Sequence, residues 1–535
     1  MTVVLEGEAM QQRGKNALPR YADDAVTREL CGHVYRDMEW AVSVGRMFLT
    51  ERFRAHGQPK GVDLVAVVRH ARRAERLFLL RDTMLAACFA ALAAGGIAGL
   101  AALVVRDPGR LAGCLLLAAG ALVAGTVVAF AWNWAMWRAA QGVQWGDGPP
   151  RHGAPAVRAE LERELDALDQ ANVIVYSAKG PDGEQPFLGS GISVLETVWP
   201  GIDVSRPARK SSGKKARIKD FTAAELHSHV AERLARLAGL DGLRVCDRLH
   251  IQGHHVRDLG TALLPDPRKR PVTRIDPHLV ETGIAETGDV MRSYLTLELI
   301  GTRGSYVVTV HLRARLARSR LSWEIAASYL PPVHTAFNHP RTHRFGFGDH
   351  AMTVLRVTRE QLRDQFFGSP RRMLRRPARR TADAVRLLWR RSRVARPRGY
   401  FDYGAGGTLR AVASAPSRQG DYTQRMDAKD AMQRIQQALL RATEQFLEAH
   451  HVDISDLRRT QKVITTQTYN FSGPINGQNV FGNHGINLAR NLRPAPGPDG
   501  GTGGGTGATA GGTGSGTTDG GSAGASAATA DDTKK

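Results

Sequence analysis

Two uncharged runs separated by five residues constrain this chain more than any other feature. Residues 83-TMLAACFAALAAGGIAGLAALVV-105 hold 23 positions without a charge. At about 1.5 Å per residue they make roughly 35 Å of helix, enough to cross a hydrocarbon core of about 30 Å. After 106-RDPGR-110 comes a second uncharged run, 111-LAGCLLLAAGALVAGTVVAFAWNWAMW-137. Five connecting residues leave room only for an antiparallel hairpin, with Pro108 and Gly109 expected to make the turn. Both chain ends then fall on the same side.

The flanking charges choose that side. Arg72, Arg73, Arg76 and Arg81 precede the first run and Arg138 follows the second, against two arginines and one aspartate in the turn. The positive-inside rule predicts a cell-membrane protein with two spans and both termini cytoplasmic. Trp132, Trp134 and Trp137 sit where a belt of interface anchors belongs. Gly95 and Gly99 are spaced GxxxG, and Gly120/Ala124 and Ala121/Gly125 repeat small-xxx-small in the second run, so close helix approach is expected. Neither run carries an ionisable residue, which argues against a pump or proton relay built from the hairpin alone. The start of the chain, MTVVLEGEAMQQRGKNALPR, has no apolar core of the kind a cleavable signal peptide needs.

The remaining sequence falls into distinct zones, for an overall α+β class with a two-helix transmembrane hairpin. Residues 1–82 read as a helical cytoplasmic region, 83–137 as the hairpin and 138–171 as a linker helix. An α+β cytoplasmic domain is expected over 172–357. Its strands are read from 172-NVIVYS-177, 187-FLGSGISVLETVW-199, 243-LRVCDRLHI-251, 291-MRSYLTLELIG-301, 305-SYVVTVHLRARL-316 and 321-LSWEIAASYL-330, several of which alternate apolar and polar residues. The helix 222-TAAELHSHVAERLARLAG-239 interrupts them, and TRG at 302–304 reads as a hairpin turn. Residues 358–424 form an Arg-rich membrane-surface segment and 425–466 amphipathic helices, the second capped by Asp453 or Ser455. Residues 467–489 carry an Asn/Gly motif, and 490–535 a disordered tail of Gly, Thr, Ser and Ala.

The formal charge of +22 asks for an anionic partner, although a general excess of Arg, Ala and Gly inflates it. The segment 206-RPARKSSGKKARIK-219 has seven basic residues and no acid. From 371 to 398 there are twelve arginines and one acid, Asp383. Arg371, Arg372, Arg375, Arg376, Arg379, Arg380, Arg386, Arg390, Arg391 and Arg393 are the candidate surface for anionic lipid, since each basic residue near such a leaflet contributes about 1 kcal/mol. Met373, Leu374, Val385, Leu387, Leu388 and Trp389 are interleaved, and Pro377 is expected to break or restart the helix. A membrane surface ranks first, a solvated or partner-binding face second, and nucleic acid last, because aromatics are sparse and no nucleic-acid reading motif is present.

Catalytic patterns are absent. The histidines cluster in HSH at 227–229 and HIQGHH at 250–255, followed by His334, His339, His343 and His350, but without metal-ligand spacing. SSGKKA at 211–216 lacks the Walker A glycine and Ser/Thr, 404-GAGG-407 stands outside any βαβ unit, and FLGSGIS does not match a nucleophile elbow. The four cysteines, Cys31, Cys88, Cys114 and Cys246, show no paired spacing and read as reduced. No metal or other cofactor is expected, and a scaffold or adaptor ranks above a membrane-tethered enzyme or nucleic-acid binder.

The stretch 469-YNFSGPINGQNVFGNHGINLA-489 alternates glycines with Asn and short apolar residues. Such pieces suit stacked cross-β assembly, with Asn470, Phe471, Gly473, Ile475, Gly477, Asn479, Val480 and Gly482 as the assembly motif. A linker or local hairpin with a type I′ turn at Asn476-Gly477 ranks ahead of that assembly. The pattern N-F-S-G-x-I-x-G-x-N-V-x-G resembles the Asn/Gly amyloid-signalling motifs that end bacterial, especially actinobacterial, defence and signalling proteins. The pieces 444-EQFLEAHHVDISDLRRTQ-461, GVDLVAVVRHARRAERL, YLTLELIG and VVTVHLRARL are similar to uncharacterised actinobacterial membrane proteins with a twin-helix anchor. The resemblance implies a protein partner, or self-assembly, at the C-terminal motif and a role in signalling; it implies no particular activity.

Overall fold

The computed structural model describes residues 18–178, 186–209, 215–285, 291–337, 347–395, 401–414 and 422–465. The Asn/Gly motif and the tail lie outside them. The N-terminal region opens with α1 (Ala25–His33) and α2 (Met38–Gly45), followed by a π-helical turn, Arg46–Thr50. The expected helical stretch divides at Asp37. Its extended backbone and its carboxylate, which accepts from the amides of Glu39 (2.7 Å) and Trp40 (3.1 Å), start α2 afresh.

Next comes α3 (Leu64–Val105), 42 residues and about 63 Å long. The basic stretch before the first apolar run and the run itself are therefore one helix, because nothing between them breaks the helical period. Asp63 caps it, accepting from the Ala66 amide, while Arg151 grips the same carboxylate at 2.6 and 2.9 Å. The turn into α4 (Pro108–Trp145) is tighter than expected. Arg106 takes the left-handed conformation at φ 55°, and Asp107 caps α4 through the Arg110 amide at 3.0 Å. Pro108 and Gly109 are already helical, since a proline at the first helical position loses no hydrogen bond.

The two helices pack side by side through one small-residue face. A Cβ on Gly95 would lie 3.2 Å from the Cys114 carbonyl, and one on Gly99 would lie 3.5 Å from the Cys114 side chain. The partner surface in α4 is thus Cys114–Ala118, not the later small-residue repeats. Of those, a Cβ on Gly120 would meet nothing within 4 Å, whereas one on Gly125 would collide with the ring of Phe366. Both helices are long and apolar enough to cross a membrane. Ile97, Leu100, Val104, Leu116, Val123 and Val127 are exposed along them.

The mixed domain follows as α5 (Ala159–Ala167), β1 (Val173–Tyr176), β2 (Ile192–Val198), β3 (Ile202–Asp203), α6 (Ala223–Ala235), β4 (Arg244–Gln252), α7 (Pro277–Ala285), β5 (Met291–Ile300), β6 (Val307–Ala317) and β7 (Arg320–Leu330). Seven strands among the described residues form one sheet, ordered β1-β4-β5-β6-β7-β2, with β3 also on β7. Only β1 runs parallel to its neighbour; the other pairs are antiparallel. The TRG turn joins β5 to β6, with Arg303 and Gly304 both at positive φ.

Four further helices complete the described chain: α8 (Phe347–Ala395), α9 (Leu409–Val412), α10 (Tyr422–Ala449) and α11 (Ser455–Thr465). Strand alternation gives the sheet two faces. Leu295, Leu297, Val310, Leu312, Trp323 and Ile325 pack under Leu226, Val230 and Leu234 of α6 and Ile435, Leu439 and Phe446 of α10. The opposite face is polar.

The 49-residue α8 runs unbroken through Pro370 and Pro377, against the expected break at Pro377. Pro370 cannot donate to the Phe366 carbonyl four residues back, and the Ser369 hydroxyl donates to it instead at 2.7 Å. Lateral packing on α3 and α4 supplies the rest, with Phe366 buried among Leu85 and Ala129. Gly125→Val should therefore weaken the fold by about 1–3 kcal/mol through overpacking, while Gly120→Val should leave it unchanged. Thermal unfolding of the two detergent-solubilised variants reads the difference, and equal melting temperatures would refute this docking.

Candidate functional site

The arginine-rich helix α8 carries three stripes. Counting 100° per residue, one side holds Thr358, Gln365, Phe366, Arg372 and Arg376 and faces the hairpin. Asn133 of α4 donates to the Thr358 hydroxyl at 3.0 Å and accepts from the Gln365 amide at 3.1 Å. Phe366 and Phe367 meet Phe89 of α3 edge-on, with ring centres 6.1 and 6.0 Å apart.

One residue before the first apolar run, Asp82 is fully buried. Its carboxylate takes Arg81 at 2.9 Å, Arg376 at 2.7 Å and Arg372 at 3.3 Å. Further along, Arg390 pairs with Glu51, and the Val394 carbonyl accepts from Arg257 at 2.6 Å.

The second stripe is apolar and exposed. Phe367, Leu374, Val385, Leu388 and Trp389 fall within an arc of about 100°, and Leu374 is 75% exposed. The third stripe, between the other two, carries the exposed arginines Arg375, Arg379, Arg386 and Arg393, with Arg371 at its margin, while Arg391 is exposed on the far side of the helix. Arg386 pairs with Asp383 at 3.3 Å, and Arg393 stacks 3.9 Å over the Trp389 ring. The candidate lipid-facing arginines thus divide. Arg372, Arg376 and Arg390 are bound to carboxylates of the N-terminal half, and six more are exposed. The side chain of Arg380 lies outside the described residues.

The candidate interface tryptophans touch protein. Trp132 donates to the Leu77 carbonyl at 2.8 Å, Trp134 meets His350 edge-on at 4.3 Å, and Arg36 lies 4.8 Å over Trp137. Asn470, Phe471, Gly473, Ile475, Gly477, Asn479, Val480 and Gly482 fall outside the described residues.

A second cluster occupies the polar face of the sheet, where sequence reading had singled out only His250. Arg248, Thr296, Glu298, Thr309 and His311 all point there and are all buried. Lys60, arriving from the loop before α3, inserts among them. It lies 3.3 Å from the Thr309 hydroxyl and 4.0 Å from Glu298, which Arg248 reaches at 3.2 Å. Burial alone would raise the Glu298 carboxyl, but Lys60, Arg248 and Arg244 together hold it down at about 2. Burial pushes the His250 imidazole down to about 3, and it pushes His311 well below the usual histidine range. His250 hydrogen-bonds the Pro186 carbonyl at 2.9 Å, and His311 stacks on Phe187 at 4.2 Å. Among the described residues no group of three or more His, Cys, Asp or Glu side chains is placed to hold a metal ion. A glutamate inside the alternating run YLTLELI was the available signal for this cluster.

With this geometry in view, comparison with known proteins gives one match. A family model described as an AbeC-like domain matches residues 198–485, more than half of the chain. The chain belongs to the AbeC-like domain family. The matched span takes in the sheet from the end of β2 onward, α8, α10 and α11, and it runs through most of the Asn/Gly motif. It leaves out the α3–α4 hairpin. No curated protein matches the chain, and no solved structure does.

The polar face makes acid destabilising. Unfolded, His250 takes its proton near 6.5; folded, it refuses it down to about 3. The unfolded chain therefore binds more protons between those values, and this stability is complete above about 6.5 and lost as pH falls towards 3. Glu298 adds a further loss from about 4.3 down to about 2. His250→Gln should flatten the pH dependence of the melting temperature between pH 4 and 6 by about one proton's worth. An unchanged slope would show that His250 titrates freely in the folded state.

Proposed function

We propose that this protein is a two-span integral membrane protein of the cell membrane, with both termini in the cytoplasm. The AbeC-like domain sits on the anionic leaflet as a scaffold or a signalling or defence-associated adaptor. The observation that carries this reading is the triple-striped surface of α8. A helix docked against the hairpin on one side, with an exposed apolar stripe and a row of arginines on the others, suits the boundary between acyl chains and headgroups. Arginine stems snorkel there, burying carbon while the guanidinium meets phosphate. The exposed apolar side chains along both hairpin helices support the same reading. A core helix would bury them, and water would leave a patch far larger than a soluble monomer tolerates. The surplus of arginines flanking the hairpin favours the cytoplasmic side.

The partner reading rests on the Asn/Gly stretch 469–489, most of which the family match includes. In this proposal that stretch recruits a protein partner or a second copy by strand stacking, while α8 fixes the domain at the membrane. Residues 465–492 fused to a soluble carrier should form seeded fibres with the roughly 4.7 Å cross-β spacing. A monomeric solution that ignores seeds would sink the assembly role and leave the membrane reading standing.

The membrane reading has its own test. Nitroxide labels at Leu388→Cys and Arg379→Cys, on a chain cleared of its native cysteines, report the surroundings of two stripes in nanodiscs containing anionic lipid. The Leu388 label should be relaxed by oxygen and shielded from an aqueous nickel chelate, with the reverse at Arg379. Nickel access at both positions would mean that α8 stands clear of the bilayer.

A further inference from the structure

A half-open cavity lies beside the C-terminal part of α8. It measures about 160 Å³ and sits between the π-helical turn after α2, the loop to residue 57, the C-terminal part of α8 and the glycine loop 404-GAGG-407. Its walls are rich in hydrogen-bond donors. Arg46, Arg54, Arg386 and Arg390 all line it, together with His56. The two carboxylates in the wall are taken, Glu51 by Arg390 and Asp383 by Arg386. Arg46 and Arg54 make no salt bridge or side-chain hydrogen bond among the described residues. The Arg54 Nε and the His56 Nε2 are both buried there without a hydrogen-bond partner.

The glycine loop adds backbone donors. Ala405 is fixed by hydrogen bonds to Val175 and Ser177, and the Gly404 amide donates to Asp402. Gly406 and Gly407 line the cavity, and among the described residues their amides make no hydrogen bond. Gly57 lies so close to the Gly407 carbonyl that a Cβ there would collide with it, so the loop is held from both sides. Beyond Glu51 and His56 the cavity adjoins a wider cleft of about 780 Å³, lined by Arg52, Arg158, Arg163, Arg268 and Arg274 among others.

Guanidiniums and unbonded backbone amides lining a space whose two carboxylates are already paired call for a ligand that is all acceptor. A carboxylate offers two oxygens; a phosphate monoester offers three with nearly two charges, which matches paired guanidiniums and adjacent backbone amides. The small chamber has room for one or two phosphate groups, and the basic cleft has room for what they are attached to. We infer that this cavity is a phosphate-binding site, which takes the terminal phosphate of a phosphate or diphosphate ester. The ester is either a lipid headgroup, reached from the α8 side, or a soluble compound, entering through the cleft. The inference stands apart from the membrane role of α8, since the cavity exists whether or not that helix meets lipid.

Inorganic pyrophosphate is the probe. The full chain, purified in detergent without any bilayer, should bind it saturably and once per molecule by calorimetry, at constant ionic strength set with chloride. Arg54→Gln should weaken binding on the order of tenfold, as loss of a charge-assisted contact does. Arg46→Gln should do likewise, and because it breaks no described contact it keeps the test sound if the Arg54 variant misfolds. Arg110→Gln, in the turn at the far end of the hairpin, should bind as the parent does. Non-saturable uptake, or equal affinity in the Arg46 and Arg54 variants, overturns the site. Repeating the titration in nanodiscs with and without phosphatidic acid then identifies the source. Competition by that lipid assigns the chamber to a headgroup, and unchanged affinity assigns it to a soluble ester.

Discussion

Asp82 is the joint on which the described architecture turns. A carboxylate with no exposure, placed one residue before 23 uncharged positions, is stable there only with its charge met. Three guanidiniums meet it, one from its own helix and two from α8, almost 300 residues away. Breaking such a pair from one side costs about 3–5 kcal/mol, because the remaining charge stays buried. That cost fixes the azimuth of α8. With Arg372 and Arg376 turned to Asp82, and Phe366 seated in the notch at Gly125, the exposed apolar stripe can face only away from the hairpin. The surface proposed to meet lipid therefore has its direction set by one acid near the middle of α3.

The N-terminal half also reaches into the sheet. Lys60, four residues before α3 begins, is buried against Glu298 and Thr309, and Arg151 clamps the Asp63 cap of α3 while also bonding Asp166 at 2.5 Å. A lysine in that position loses its hydration and offsets the cost through Glu298 and the Thr309 hydroxyl. The loop between α2 and α3 is thus a strap, not a linker. Its α3 end is tied by buried charge to the sheet and to Arg151, and further back Glu51 pairs with Arg390, so the loop links the hairpin, the sheet and α8.

How much of this was legible follows from the range of each interaction. The hairpin and six of the strands depend on composition and alternation within twenty or so residues, and the sequence carried them openly. Pro377 suggested a break because a proline's local effect is to end a helix; the packing that keeps α8 whole comes from Leu85, Ala129 and Gly125, distant in sequence. The arginines read as one uniform basic surface. Nothing local separates Arg376, which reaches Asp82, from Arg379, which is exposed. Nothing local marks Asp82 as the partner of Arg376 either. The sheet shows the same limit: alternation marks an apolar and a polar side but carries no sign of what covers the polar one. The polar side chains of β4, β5 and β6 are buried under Lys60 and the segment containing Pro186 and Phe187, so the perturbed titrations of Glu298, His250 and His311 had no sequence signature.

The span matched by the family model also clarifies what the hairpin does for the domain. That span begins at residue 198 and so excludes α3, α4 and β1. Yet its longest helix, α8, buries Phe366 against the hairpin, and its strand β4 pairs along one edge with β1. Its Arg244 leans on Asp169, and its Glu298 on Lys60, both outside the match. Taken alone, those residues would be left with an exposed aromatic face, an unpaired strand edge and a buried carboxylate short of one cation. In this chain the apolar hairpin is therefore more than a tether. It supplies the packing surface for Phe366 and, at Asp82, the counter-charge that turns α8 to one orientation, while the segments flanking it supply Lys60, Asp169 and β1.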